Sequence, residues 1–211
     1  MGSVTRTTKT SSRATRRDEM SRRLLDALEQ NLATASVTEL SVDRLARDAG
    51  VSRSAFYLHF EDKADLLRLL YANVVEELIE AAGVWWSLPP GSTKEELLDG
   101  FRVLLDTYRE HALLMQAVVE VATYDPDLRD EFDALMTRAV GEVVEHIRAG
   151  QESGSIRRGL DAQPVASCLT WMTERVLMQV LGTADEAEAQ RHLAGLVDVY
   201  WHTLYQRDDS C

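Results

Sequence analysis

Apolar residues recur every three or four positions along most of this chain, and no segment alternates apolar with polar residues for more than a few positions. Three- and four-residue spacing stacks side chains on one stripe of an α-helix, whereas a half-buried strand needs strict alternation. Leu24, Leu28 and Leu32, with Leu25 beside them, form one such stripe. Val42, Leu45, Ala46 and Ala49 form a short second one, and Ala55, Phe56 and Phe60 a third. Leu66, Leu67, Leu70, Val74, Leu78 and Ile79 mark a long helix over about 63–82, and further helices are expected at about 93–110, 111–123, 127–151, 162–182 and 185–206. The breaks are the run from Trp85 to Gly91, read as a loop, then Asp125-Pro126, the Gly154–Gly159 stretch and Gly182. Nothing repeats at a fixed period, which argues against a helical solenoid. The pattern predicts an all-α protein: an N-terminal three-helix head followed by a C-terminal helical bundle.

At 211 residues the chain is long enough for a sizeable core. No stretch approaches the ~18 apolar residues of a membrane span, and the basic, polar start does not read as a secretory signal. Two cysteines, Cys168 and Cys211, make neither a disulfide framework nor a metal knuckle and predict a reducing, cytoplasmic setting. The net charge of -12 argues against nucleic acid as a partner, but its distribution argues for it. Residues 1–63 carry 11 Lys+Arg against 9 Asp+Glu, while 64–211 carry 12 against 26. Arg6, Lys9, Arg13, Arg16, Arg17, Arg22 and Arg23 fall within the first 23 residues. Such asymmetry suits either a nucleic-acid-binding end or a solvated tail. Residues 1–17, rich in Thr, Ser and Arg, are expected to form a flexible basic arm.

Residues 41–67 read SVDRLARDAGVSRSAFYLHFEDKADLL. Ser41 is placed to cap a two-turn helix that Gly50 stops, because a residue without Cβ takes the left-handed conformation cheaply. Val51 plugs the corner and Ser52 caps a second short helix. Burying Ala55, Phe56 and Phe60 leaves Arg53, Ser54, Tyr57 and His59 on the other side. Asp62 caps the next helix, with Lys63 at its start. Two short helices joined by a tight Gly-containing turn make a helix-turn-helix, whose second helix enters the DNA major groove.

Over about residues 18–70 this sequence resembles the DNA-binding domain of the TetR family of bacterial transcriptional repressors. The resemblance rests on Ala49-Gly50-Val51-Ser52, on Phe56-Tyr57-Leu58-His59-Phe60, and on Lys63 followed by Leu66-Leu67. It implies a DNA-binding head over 18–62 and an effector-binding and dimerisation domain over 63–211. The implied protein is a homodimer released from a palindromic or near-palindromic double-stranded operator by a small effector. The last two helices would form the dimer contact, with Leu169, Val176, Val180, Leu193, Val197, Tyr200 and Leu204 as its candidate apolar positions, some of them facing the chain's own core. The helix containing Met172-Thr173-Glu174-Arg175 is similar to one in the ethionamide-resistance regulators of mycobacteria, whose C-terminal domain holds a lipophilic tunnel. Leu97 and Ala139 stand where tryptophans line that tunnel, and Thr170 and Thr173 where asparagines do. The resemblance therefore implies a small lipophilic effector and a cavity of altered shape.

The candidate DNA-contacting residues are Thr38, Ser41, Arg53, Ser54, Tyr57, His59 and Lys63. Arg53 suits a bidentate contact to guanine, or else is a solvated helix arginine. Tyr57 suits a thymine methyl or a phosphate, or else packs on the head. His59 resembles a phosphate-contacting position or is a helix-end histidine. Lys63, at a helix N-terminus, suits a phosphate, as do Ser41 and Thr38 before the first motif helix. The candidate cavity residues are Leu97, Phe101, Leu104, Tyr108, Phe132, Met136, Thr170, Trp171, Thr173 and Leu177, for which ordinary core is the default reading and a cavity wall that of a minority. Thr170 and Thr173 either orient a ligand or bond back to their own helix. Trp85 and Trp86 either close a pocket or pack the loop.

An enzyme is not expected. Glu142 precedes His146, and Asp198 precedes His202, by four residues. A di-iron bundle uses Glu-x-x-His twice, and this sequence has none. There is no glycine-rich phosphate loop or nucleophile elbow, and no cofactor is expected. Two other readings remain at this stage, a hydrophobe-binding helical protein without DNA function and a metal-dependent helical enzyme.

Overall fold

The computed structural model describes residues 8–182 and 184–205, with side chains at 19–180, 182 and 184–205. The described residues form helices and turns, without a strand. In chain order the helices are α1 (Thr8–Leu32), α2 (Val42–Asp48), α3 (Arg53–Phe56), α4 (Lys63–Trp86), α5 (Lys94–Glu110), α6 (Ala112–Ala122), α7 (Pro126–Ser153), α8 (Ala162–Val176) and α9 (Glu186–Leu204). A π-helical turn, Leu177–Leu181, continues α8.

Two boundaries differ from the sequence expectation. α1 begins at Thr8, so residues 8–17 continue the helix where an arm of irregular chain was expected. Once the apolar stripe at Leu24 and Leu28 has nucleated a helix, each added residue costs only its own two dihedrals and gains a hydrogen bond. Residues 1–7 of that expected arm, and Cys211, lie outside the described residues, as do the side chains of residues 8–17. At the other boundary, Trp85 and Trp86 belong to α4, and the loop starts at Ser87. The Trp85 ring stacks on Phe101 with centroids 5.1 Å apart and meets Tyr200 edge-on at 5.0 Å. Packing against α5 and α9 therefore holds the end of α4 in helix, and Pro89-Pro90 ends the run further on.

α1, α2 and α3 form the head. Leu24, Leu28, Leu45 and Phe56 are fully buried at its centre. α4 packs on α1 at its start and on α5, α6 and α7 along the rest of its length, so the core runs without a break from the head into the bundle. α5 also packs on α9, and α7 on α8. The α4–α5 contact is unusually close: a Cβ on Gly100 would stand 2.8 Å from Trp85 Cβ and 2.9 Å from its Cα. At ~1.5 Å per residue, Ala82 lies about 28 Å along α4 from Lys63, so this one helix joins the head to the middle of the bundle.

Candidate nucleic-acid interface and cavity

The turn between α2 and α3 is built as its residues dictate. Ser41 Oγ accepts from Arg44 N at 3.2 Å, capping α2. Gly50 has φ of +64°, its N–H donates to Arg47 O, and Val51 N–H donates to Ala46 O at 2.8 Å. These are the two hydrogen bonds of a Schellman stop. The Arg23 guanidinium donates to Ala49 O and Gly50 O, locking the corner onto α1. Ser52 Oγ then caps α3 by accepting from Ala55 N at 3.1 Å, and Asp62 caps α4 through Asp65 N at 2.9 Å. Each cap is worth ~1 kcal/mol.

Phe56 and Phe60 are buried, which leaves Arg53, Ser54 and Tyr57 exposed together on α3 and the turn that follows it. The Arg53 guanidinium lies 5.6 Å from the Tyr57 ring centroid, and its Nη1 reaches Asp43 at 3.2 Å. Both partners of that ion pair are well exposed, so it is weak and yields easily to a competing acceptor. His59 is half-buried, with its Nδ1 shielded and without a hydrogen-bond partner. Leu58, not singled out in the sequence, is 78% exposed beside Tyr57. The signal for it was its place opposite the Phe56–Phe60 pair.

Two expected phosphate contacts are engaged elsewhere. Lys63 Nζ donates to the carbonyls of Val37, Thr38 and Leu40 at 2.5, 3.0 and 3.0 Å. Its three N–H groups are thereby used, and the side chain ties the start of α4 to the turn after α1 in place of reaching outward. Thr38 Oγ1 donates to Glu120 Oε1 of α6 at 2.9 Å, a link between head and bundle. Within the bundle, Arg68 of α4 ties to the start of α7, its Nη1 lying 3.1 and 3.2 Å from the two carboxylate oxygens of Asp125.

The bundle contains an apolar cavity of about 100 Å³. α4 lines it with Leu78, Ile79, Ala82, Trp85 and Trp86, α6 with Met115, and α7 with Phe132, Leu135, Met136, Ala139 and Val143. Of the expected residues, Leu104, Tyr108, Phe132, Met136, Thr170, Thr173 and Leu177 line it. Leu97, Phe101 and Trp171 do not. Leu97 and Phe101 are each 1% exposed and fill the core, Phe101 beneath the Trp85 ring, while Trp171 is 42% exposed on the outside of α8. Apolar spacing marks the buried face of a helix but not which part of that face meets a void.

The polar residues of α8 divide sharply. Thr173 Oγ1 lies 2.9 Å from Leu169 O and 2.7 Å from the Tyr200 hydroxyl, which itself donates to Leu169 O, so this threonine has structural partners. Thr170 Oγ1 is buried without one. Glu174, overlooked in the sequence, also lines the cavity, and its shielded Oε2 has no hydrogen bond. Burial raises the Glu174 pKa, partly offset by Arg175. A charged residue one turn after Thr170 on a largely apolar helix was the available signal.

The histidines of the two acid–histidine pairs bond to groups other than those carboxylates. His146 Nδ1 donates to Trp86 O at 2.6 Å, which leaves Nε2 to accept from the Tyr205 hydroxyl at 2.6 Å. His202 bonds to the Asp198 carbonyl. No group of three metal-ligating side chains stands together among the described residues, and no helix among them is long and apolar enough to cross a membrane.

Residues 24–70 match the family model of bacterial regulatory proteins of the tetR family, and residues 97–206, more than half of the chain, match that of the C-terminal domain of the transcriptional regulator EthR. The chain belongs to the TetR family of transcriptional regulators and carries an EthR-type C-terminal domain. This TetR-family regulator is 23% identical over 189 residues to the HTH-type transcriptional regulator EthR of Mycolicibacterium smegmatis, covering 89% of this chain and 87% of that protein. It is 25% identical over 190 residues to EthR of Mycobacterium tuberculosis, covering 89% and 88%. A TetR-family regulator from Rhodococcus sp. has the same fold, with a TM-score of 0.68 and 25% identity over 86% of this chain and 98% of that one. The N-terminal head of this regulator is thus a TetR-type DNA-binding domain.

Proposed function

We propose that this TetR-family regulator is a cytoplasmic homodimeric repressor, and that a small lipophilic effector in the bundle cavity releases it from a palindromic or near-palindromic operator. The observation that carries the reading is that α4 both opens at the head, through Lys63, and walls the cavity, through Leu78, Ile79, Ala82, Trp85 and Trp86. A ligand that parts these walls displaces the helix on which the head is mounted. α6 offers a second route, since Met115 faces the cavity and Glu120 holds Thr38. The effector acts only through a difference in affinity between the DNA-bound and released states.

On DNA, Arg53 reads a guanine edge, with Ser54, Tyr57 and Leu58 beside it. Tyr57 and Leu58 suit thymine methyls, and Ser41 and His59 suit phosphates. Lys63 and Thr38 act by holding the head in place. Two-fold symmetry sets the half-sites about one helical turn (~34 Å) or somewhat more apart. Outward-facing stripes on the last two helices support a dimer. On α8 and its π-helical turn, Pro164, Cys168, Trp171, Arg175 and Gln179 are exposed at three- and four-residue spacing; on α9, His192, Gly195, Val199 and His202 are. Leu169, Leu193, Val197, Tyr200 and Leu204, considered for the interface from sequence, are buried in the chain's own core, whereas Val176 and Val180 are half-buried.

The test is selection of bound duplexes from a random pool, followed by fluorescence anisotropy with the selected operator and a library of lipophilic compounds. Recovery of a two-fold-symmetric site, and release by a compound that stabilises the folded protein, are expected. Retention of all sequences alike would contradict the reading.

A further inference from the structure

The cavity wall is largely apolar, and two of its polar groups lack hydrogen-bond partners. Thr170 and Glu174 lie one turn apart on α8, and both present a buried oxygen without a hydrogen bond. The nearest cation to the carboxylate is Arg175 Nε, at 3.8 Å from Oε2, beyond hydrogen-bond reach. The Tyr108 phenol shares the cavity, and the Glu174 charge, after burial, pushes its pKa above the ordinary range. A shielded carboxylate oxygen without a donor is costly to maintain, and a donor that also carries positive charge compensates it best. The indoles of Trp85 and Trp86 and the ring of Phe132 line the same space, and aromatic faces attract cations.

We infer that the effector is an amphiphilic amine, whose ammonium group donates to Glu174 Oε2 and Thr170 Oγ1 while its apolar chain fills the space among α4, α6 and α7. This rests on the cavity being the effector site and adds the chemical class of the ligand. At about 100 Å³ the cavity suits a narrow, unbranched chain, for which the flexible Met115 and Met136 side chains can make room.

The test uses unbranched C4–C8 1-aminoalkanes, 1-alkanols and alkanoates as probes of the full-length dimer, read by calorimetric titration and thermal shift. An amine is expected to bind at least tenfold more tightly than the alcohol of equal length, and the carboxylate more weakly than either. Glu174→Gln, nearly isosteric and uncharged, should reduce the amine preference to less than threefold and leave alcohol binding unchanged. Thr170→Val should weaken the amine by a smaller factor. Alcohols that bind as well as amines, or an amine preference that survives Glu174→Gln, would overturn the inference and leave the cavity as a neutral lipophilic site. If no probe of any class binds, the cavity is not the effector site and both readings fall. Should Glu174→Gln unfold, Glu174→Asp serves in its place: withdrawing the carboxylate by one methylene should weaken amines while sparing alcohols, and equal loss of both would overturn the inference.

Discussion

Replacing Gly100 with alanine tests the α4–α5 contact on which the cavity depends. Alanine is better than glycine in a helix interior by ~0.8–1 kcal/mol, so propensity alone predicts stabilisation. The structure predicts the reverse. The new methyl carbon would lie 2.8 Å from Trp85 Cβ, 2.9 Å from its Cα and 3.1 Å from its N. Two of these three are backbone atoms that cannot move aside alone, so α4 and α5 must separate and loosen the Trp85–Phe101 stack. Overpacking of this kind costs ~1–3 kcal/mol, and contact with backbone places it in the upper part of that range. The net expectation is a loss of about 1–2 kcal/mol, or ~2–8 °C in Tm for a domain of this size. Gly141 is the control. It lies within α7, and a Cβ added there meets nothing within 4 Å, so Gly141→Ala should gain ~1 kcal/mol and raise Tm by ~2–4 °C. Both variants are read by calorimetry at one protein concentration, because self-association of the kind proposed makes Tm concentration-dependent. If Gly100→Ala raises Tm as Gly141→Ala does, the helices do not approach as described and the cavity wall is misplaced.

Arg53→Ala should cost about 1–3 kcal/mol on the selected operator and relax the preference at one base pair per half-site, measured by anisotropy on single-substitution duplexes; equal loss on every sequence would make Arg53 a phosphate contact. Val199→Asp should leave the protomer folded, because Val199 is exposed, and weaken the dimer in sedimentation, whereas Val197→Asp should unfold the chain, because Val197 is 1% exposed. An unchanged dimer in Val199→Asp would remove α9's outer stripe from the interface. Burial holds the His146 pKa below its ordinary 6.5, partly offset by the hydrogen bond to the Trp86 carbonyl. The unfolded chain therefore binds a proton that the folded chain refuses: this contribution to stability is complete above pH ~6.5 and is lost as pH falls from there toward the folded-state pKa. Denaturant midpoints should fall less between pH 7 and 5.5 in His146→Gln than in the parent, and parallel curves would refute this assignment.

The head was largely legible in the sequence because local chemistry fixes it. Ser41, Gly50, Ser52 and Asp62 act within a few residues of themselves, so caps and turn can be read without knowing the rest of the fold. Arg53 and Tyr57 could be placed on the outer face because Phe56 and Phe60 claim the inner one. Lys63 shows the limit, since its three carbonyl partners lie 23–26 residues away and its position alone suggested an outward-pointing ammonium. The cavity was legible only in part. Periodicity finds the buried face of each helix, but a void arises from several faces failing to meet. Leu97, Phe101 and Leu104 therefore look alike in sequence, though only Leu104 reaches the space. Glu174 was missed because a lone carboxylate between polar neighbours reads as surface, and only the turn of α8 brings it inward beside Thr170.

The most direct test of the central claim is linkage between the two sites. Operator affinity is measured by anisotropy at increasing concentrations of a compound whose binding in the cavity is confirmed by its loss in Ala139→Trp. The affinity of the same compound is then measured by calorimetry with and without saturating operator. Coupling between two sites is reciprocal. The account predicts that the compound weakens operator binding by some factor and that the operator weakens compound binding by that same factor. Operator affinity that stays constant while the cavity is saturated would contradict it.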